Sequence, residues 1–170
     1  MRWRRLGAPI RSPVSSTSAS CAATRADRPA ARRMPKVSER RLVVLDASVG
    51  VKWIKPEAGR EQARALLADH REGRIRIVVP VHFLHEVVGF AVRHGGVEFG
   101  EQAWRELGNA DLTIVGLDDT IAASAFDQVR LLGCSFYDAL APALAERLGA
   151  TLCSADARAH ARFADVTLIG

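Results

Sequence analysis

The sequence lacks any apolar run long enough to cross a bilayer, and it contains little cysteine. No stretch approaches the roughly 18 uninterrupted apolar residues of a membrane-spanning helix, so we expect no membrane segment. Three cysteines, Cys21, Cys134 and Cys153, are far apart and form no C-x-x-C pair. This spacing predicts reduced thiols in a cytoplasmic protein rather than a disulfide framework or a zinc site. Cys134 and Cys153 lie near apolar segments, which favours a role in core packing.

Several catalytic and binding motifs are also missing. No glycine-rich phosphate loop follows the first apolar run, which argues against a nucleotide-binding module. His82, His85 and Glu86 invite comparison with H-E-x-x-H zinc proteases, but Gly89 occupies the place of the second histidine. A phosphotransferase with an aspartate nucleophile would usually need a second acid at position 48, where the chain has Ser48.

Acidic residues are scarce at the N-terminus. Residues 1–41 hold 11 of the 24 Lys and Arg residues but only two of the 19 acids, so the basic charge belongs to this segment. Residues 1–38 are rich in Arg, Ala, Ser and Pro without a helical or strand period, which predicts a disordered basic extension. It could be an RNA-binding arm or a transit peptide. We favour a start-site artefact, with the true start at Met34 and one domain over 39–170.

The rest of the chain alternates short apolar runs with amphipathic segments. The run LVVLDAS, from Leu42 to Ser48, predicts a buried strand that ends at an acid and leads into a helix. Four more strands are predicted at 75–79, 112–117, 151–153 and 166–169. Helices are predicted at 48–54, 59–72, 82–94, 98–109, 119–132, 136–148 and 156–162, with Gly95 and Gly96 separating the third and fourth. This alternation predicts a three-layer α/β/α sandwich around a mostly parallel sheet.

Asp46 stands where ligands bind in open α/β sheets, just beyond the carboxyl end of a strand. Three other acids interrupt apolar settings: Glu86, Asp138 and Asp156. Carboxylates about 4 Å apart repel by ~4 kcal/mol per pair at an effective dielectric near 20, so a cluster of four would not persist for stability alone. Oxygen ligands of this kind suit Mg²⁺ or Mn²⁺, so convergence of these acids predicts a metal site.

Each of these acids also has an ordinary structural explanation. Ser135 and Asp138 have the spacing of a capping box, and Asp156 could interact with the N-terminus of the following helix. Glu86 could pair with Arg93, which shares its helical face.

The four acids lie in motifs that resemble the PIN domain family, and specifically the VapC-type toxin ribonucleases of bacterial toxin–antitoxin pairs. The resemblance rests on LVVLDASVGVKW, VPVHFLHEVV, FYDALAPALAERLGATL and SADARAHA. It implies an endoribonuclease dependent on Mg²⁺ or Mn²⁺, with Asp46, Glu86, Asp138 and Asp156 as catalytic metal ligands. It also implies a homodimer that is held inactive by a cognate antitoxin whose C-terminal segment covers the acidic groove.

Other residues near these motifs are candidates for supporting roles. Ser48 and Ser154 match small polar positions of the family and are predicted to orient the acids, although Ser48 could equally be a simple helix cap. Lys52, Arg93 and Arg158 are candidate contacts to RNA phosphates, or else ordinary solvated surface bases.

Two positions depart from the family pattern. Gly89 replaces an asparagine that many relatives carry three residues after the helix glutamate. Pro142 lies within the predicted Asp138 helix, where it removes the hydrogen bond to the carbonyl of residue 138. We predict that Pro142 redirects Asp138. Alternative functions are a housekeeping RNA-processing nuclease of the same fold, or a PIN-like protein that binds RNA or a partner without cutting.

Overall fold

The computed structural model describes residues 40–170, so the predictions for residues 1–38 and for a start at Met34 lie outside the described range. Within it, five strands form one parallel sheet in the order β3-β2-β1-β4-β5. The strands are β1 (Arg41–Leu45), β2 (Ile75–Pro80), β3 (Thr113–Val115), β4 (Thr151–Ser154) and β5 (Val166–Leu168). The helices are α1 (Ala47–Ile54), α2 (Arg60–Arg71), α3 (His82–Gly108), α4 (Asp119–Leu132), α5 (Phe136–Leu148) and α6 (Ala157–His160). Among them, no helix is long and apolar enough to span a membrane.

The sheet is covered on both faces, which confirms the predicted three-layer α/β/α sandwich. Successive side chains of a strand point to opposite faces, so each central strand supplies two cores. Val43 and Leu45 pack with α1, α2 and α3, whereas Val44 between them packs with α4 and α5. Cys153 is buried in the first core, and Cys134 packs against the second, as predicted. Both thiols are free.

The strand order places the end of β1 at the point where the chain changes direction across the sheet. β1 pairs with β2 on one side and with β4 on the other. Open parallel sheets form a crevice at such a switch point, beyond the carboxyl ends of the strands. The backbone N–H of Asp46 donates to the Cys153 carbonyl at 3.0 Å, so Asp46 stands at the junction of β1 and β4.

The α3 region contains the break that the Gly95-Gly96 pair predicts. The helix bounds run continuously from His82 to Gly108, but Gly96 has φ 81° and ψ −176°, which is not helical. A positive φ of this kind is readily adopted by glycine. The two halves approach closely after the break, because a Cβ on Gly100 would lie 2.3 Å from the Val92 side chain.

Gly50 allows α1 to pack closely against α3, and this contact carries a testable prediction. A Cβ at this position would lie 2.5 Å from Phe83 Cζ and 2.6 Å from Val87 Cγ2, both of which belong to buried side chains. We expect Gly50→Ala to lower the free energy of unfolding by about 1–3 kcal/mol through overpacking, measured by chemical denaturation. Gly108→Ala is the matched control, since a Cβ there meets nothing within 4 Å. Equal stability of the two variants would refute the close contact.

Candidate active site

Asp46 is held at the end of β1 as the N-cap of α1. It is 7% exposed, and its Oδ2 accepts hydrogen bonds from the backbone N–H of Ser48 at 3.0 Å and from the Ser48 hydroxyl. Aspartate is a preferred residue at this position because its carboxylate accepts from backbone N–H groups that have no helical partner. All of these bonds use one oxygen. Oδ1 of Asp46 has no hydrogen-bond partner among residues 40–170.

Two serines connect the ends of β1 and β4. Ser48 Oγ accepts from the N–H of Ala155 at 2.9 Å while its hydroxyl reaches Asp46. Ser154 is fully buried, and its Oγ lies 3.4 Å from both Ser48 Oγ and Asp46 Oδ2. The alternative that Ser48 caps the helix is wrong, because Asp46 is the N-cap and Ser48 supplies the N–H that it accepts. The Ser48 hydroxyl forms a bridge between Asp46 and β4.

Glu86 lies on α3 and is electrostatically linked to two of the other acids. Partial desolvation raises its pKa above the ordinary value, the negative charges of Asp46 and Asp138 raise it further, and Arg93 lowers it. The alternative in which Glu86 pairs with Arg93 is not borne out by an ion pair among the described residues, although the Arg93 charge acts on the Glu86 pKa. No hydrogen bond from the described residues reaches the Glu86 carboxylate.

Asp138 occupies the third position of α5 and forms the predicted capping box with Ser135. Asp138 Oδ2 accepts from the Ser135 hydroxyl at 2.8 Å and from the Ser135 N–H at 3.3 Å, and the Asp138 N–H donates to Ser135 Oγ. The capping box and the proximity to Glu86 are compatible, because the bonds again involve only one carboxylate oxygen. Oδ1 of Asp138 accepts none within the described range.

Asp156, unlike Asp46 and Asp138, is not among the charges that shift the Glu86 pKa. It is the N-cap of α6, and its Oδ1 accepts from the N–H of Ala159 at 3.1 Å. The structure connects it to Asp46 indirectly: the Asp156 N–H donates to Ser154 Oγ at 3.0 Å, and Ser154 lies beside Asp46.

The fold thus places the four predicted acids at the carboxyl edge of the sheet, on the loops and helices that follow β1, β2 and β4 and at the start of α5. Among residues 40–170, no three His, Cys, Asp or Glu side chains are already close enough to hold one metal ion. The donor set nevertheless fits a hard cation, because each acid keeps a carboxylate oxygen free of hydrogen bonds. Mg²⁺ usually retains several waters and needs only one or two protein carboxylates.

The three basic candidates differ in accessibility. Arg93 and Arg158 are exposed. Lys52 is buried: its Nζ donates to the Ala58 carbonyl at 2.6 Å and to Glu57 Oε1 at 3.2 Å. The ammonium of Lys52 is therefore already engaged within the protein. Gly89 lies next to Arg93, whose Nη1 would be 3.3 Å from a Cβ at position 89.

Two buried histidines at the site were not identified as functional candidates from the sequence. His82 lies near Asp46 and Asp138. Desolvation lowers its pKa, those two charges oppose the shift, and its buried Nδ1 has no hydrogen-bond partner in the described range. His160 is fully buried and uses both ring nitrogens in hydrogen bonds. The position of His160, four residues after Asp156 in the SADARAHA motif, could have marked it as a candidate in the sequence.

Comparison with known proteins gives a consistent family and fold. A family model described as the PIN domain matches residues 43–166. The sarcin–ricin-loop-cleaving toxin VapC20 of Mycobacterium tuberculosis superposes with a TM-score of 0.60 at 16% identity, over 75% of this chain and 99% of that chain. VapBC2 from Rickettsia felis, bound to a promoter DNA fragment, gives 0.61 at 13% identity, over 76% and 99%. A toxin–antitoxin complex from Klebsiella pneumoniae gives 0.59 at 15% identity, over 74% and 95%. A comparison with curated proteins found no match.

Proposed function

This chain belongs to the PIN domain family, and on that premise we propose that it is a divalent-metal-dependent endoribonuclease acting as the toxin of a toxin–antitoxin pair. The observation that carries the proposal is the placement of Asp46, Glu86 and Asp138 in one electrostatic neighbourhood at the switch point of the sheet. Like charges in a shared site oppose folding unless something compensates them. A bound divalent cation is the simplest compensation.

Each of the four acids has a defined part in this proposal. Asp46, Glu86, Asp138 and Asp156 would hold Mg²⁺ or Mn²⁺ through the carboxylate oxygens that remain free of hydrogen bonds. When bound, such an ion supplies an activated water for in-line attack on a phosphodiester and stabilises the leaving oxygen. The two serines orient neighbouring acids: Ser48 holds the Asp46 carboxylate, and Ser154 holds the Asp156 backbone. No protein nucleophile is required.

The RNA substrate would be bound through local basic groups, since the domain outside the N-terminal segment has more acids than bases. Arg93, whose charge acts on Glu86, and Arg158, two residues after Asp156, are exposed and are the proposed phosphate contacts. Lys52 is left out of this set because it is buried against Glu57 and Ala58.

We further propose a cognate antitoxin and a homodimer, both acting in the cytoplasm. The support for an antitoxin is that similar structures include toxin–antitoxin complexes, such as the one from Klebsiella pneumoniae and FitAcB-type and VapBC assemblies from other bacteria. A toxin should arrest growth when expressed alone, and the product of a small adjacent reading frame should restore growth. A housekeeping nuclease would show neither effect.

Metal removal tests the enzymatic part of the proposal. We expect the purified full chain to cleave structured RNA with Mg²⁺ or Mn²⁺, to lose this activity in EDTA, and to regain it when excess Mg²⁺ is added. Fragments resolved on a sequencing gel provide the measurement. Equal cleavage with and without EDTA would refute metal dependence. RNA binding without cleavage under all metal conditions would favour the non-cutting PIN-like protein.

A further inference from the structure

We propose that His160 is a positioning residue that fixes the Asp138 helix and the end of β4 relative to each other at the carboxylate site. The proposal rests on the proposed function only to the extent that these carboxylates hold the metal ion. One backbone hydrogen bond is missing inside α5, and a hydrogen bond from His160 takes its place.

Pro142 removes one backbone hydrogen bond from α5. In a regular α-helix the carbonyl of residue 138 accepts from the N–H of residue 142, but proline has no N–H. Pro142 lies inside α5 and is fully buried. The Asp138 carbonyl therefore lacks its intrahelical donor, and buried carbonyls almost always find another partner.

His160 supplies that partner with one ring nitrogen. Its Nε2 lies 2.8 Å from the Asp138 carbonyl oxygen, across 22 residues of sequence. A carbonyl can only accept a hydrogen bond, so Nε2 carries the proton. The first turns of α5 are thereby held by α6, and the Asp138 carboxylate is held in turn by its capping box.

The other ring nitrogen holds the end of β4. Nδ1 of His160 lies 2.7 Å from Ser154 Oγ. With a single ring proton placed on Nε2, Nδ1 is an acceptor for the Ser154 hydroxyl. Ser154 Oγ in turn accepts from the Asp156 N–H at 3.0 Å. One imidazole thus links the backbone of Asp138 to the serine that lies between Asp46 and Asp156.

Variants of His160 and Pro142 separate this role from simple core packing. His160→Leu keeps an apolar side chain in the space and removes both hydrogen bonds. His160→Gln retains an amide that can donate to the Asp138 carbonyl and accept from Ser154. Pro142→Ala restores the intrahelical N–H, and it is made alone and together with His160→Leu.

His70 offers a matched control, since it also bridges two segments with both ring nitrogens. Its Nε2 lies 3.1 Å from the Asp111 carbonyl, and its Nδ1 accepts from the Ile77 N–H at 3.3 Å. It contacts none of the four acids. His70→Leu therefore reports the effect of losing a histidine bridge outside the site.

The full chain is titrated with Mn²⁺ by calorimetry, and its melting temperature and RNA cleavage are measured in parallel. We expect His160→Leu to weaken Mn²⁺ binding by about ten- to a hundred-fold, as for other residues that orient metal ligands, and His160→Gln to recover most of the affinity. His70→Leu should lower the melting temperature while leaving Mn²⁺ affinity unchanged. Pro142→Ala should recover part of the melting temperature that His160→Leu loses, because it returns a donor to the Asp138 carbonyl.

Wild-type Mn²⁺ affinity in His160→Leu, or equal losses in His160→Gln and His160→Leu, would overturn the proposal. If His160→Leu does not fold, the proposal is decided by the Mn²⁺ affinities of His160→Gln and of the double variant His160→Leu with Pro142→Ala. Wild-type affinity in the double variant, or equal losses in the two proteins, would overturn it. A wild-type protein that binds Mn²⁺ but cleaves no RNA would refute the proposed function and leave the His160 result standing. If the wild type binds no Mn²⁺, additive melting-temperature changes for His160 and Pro142 would overturn the bridge itself.

Discussion

Asp46→Asn is expected to lower Mg²⁺-dependent RNA cleavage by about 100-fold or more, since loss of a metal ligand removes several kcal/mol of transition-state stabilisation. The substitution removes the negative charge and retains the shape of the side chain. Asparagine is also a good N-cap, so it can still accept from the Ser48 N–H and begin α1. We therefore expect a folded protein with little activity.

Initial rates on one RNA at saturating Mg²⁺, together with a thermal melt of each protein, provide the measurement. Asp118→Asn is the matched control, because Asp118 is also an N-cap aspartate, whose Oδ1 accepts from the Ile121 N–H at 2.8 Å. It caps α4 and belongs to none of the four proposed ligand positions. Activity of Asp46→Asn at the level of Asp118→Asn would refute the assignment of Asp46 to the metal site.

Phe83→Ala is expected to lower the free energy of unfolding by about 3–5 kcal/mol, the range for deleting a buried aromatic ring. Phe83 is 0% exposed and packs edge-on against Trp53 with ring centroids 5.8 Å apart. It also fills the space above Gly50. The ring thus joins α1, which follows Asp46, to α3, which carries Glu86.

Urea denaturation monitored by circular dichroism measures this loss. Phe126→Ala removes the same atoms from a side chain that is 53% exposed and contacts Phe136, so it should cost about 1 kcal/mol or less. Similar losses in the two variants would mean that Phe83 does not carry the contact between α1 and α3.

Local patterns in the sequence were sufficient to predict most elements of the fold. The α5 helix runs from Phe136 to Leu148 as predicted, because a serine cap precedes it and Gly149 ends it in the left-handed conformation. Edge elements were predicted too long. The apolar segment 112–117 forms a strand only over Thr113–Val115, where β2 offers backbone partners. An edge strand has a neighbour on one side only, so pairing rather than composition sets its length.

The candidate site could be predicted only as a set of acids. Their positions after strands and on helical faces can be read from the chain, and the capping box of Asp138 follows from its spacing to Ser135. The burial of Lys52 could not be predicted, because it depends on how the segment after α1 folds back to place Glu57 and the Ala58 carbonyl beside the ammonium.

The sequence by itself determined the alternation of strands and helices and the placement of an acid beyond the end of β1, because these depend on residues close together in the chain. The tertiary structure alone decided the strand order, the contact between Ser154 and Asp46, and the His160 bridge to Asp138. These contacts join residues 108 and 22 positions apart. Hydrogen bonds of this kind require side chains to meet with specific geometry, and no local pattern in the sequence encodes that meeting.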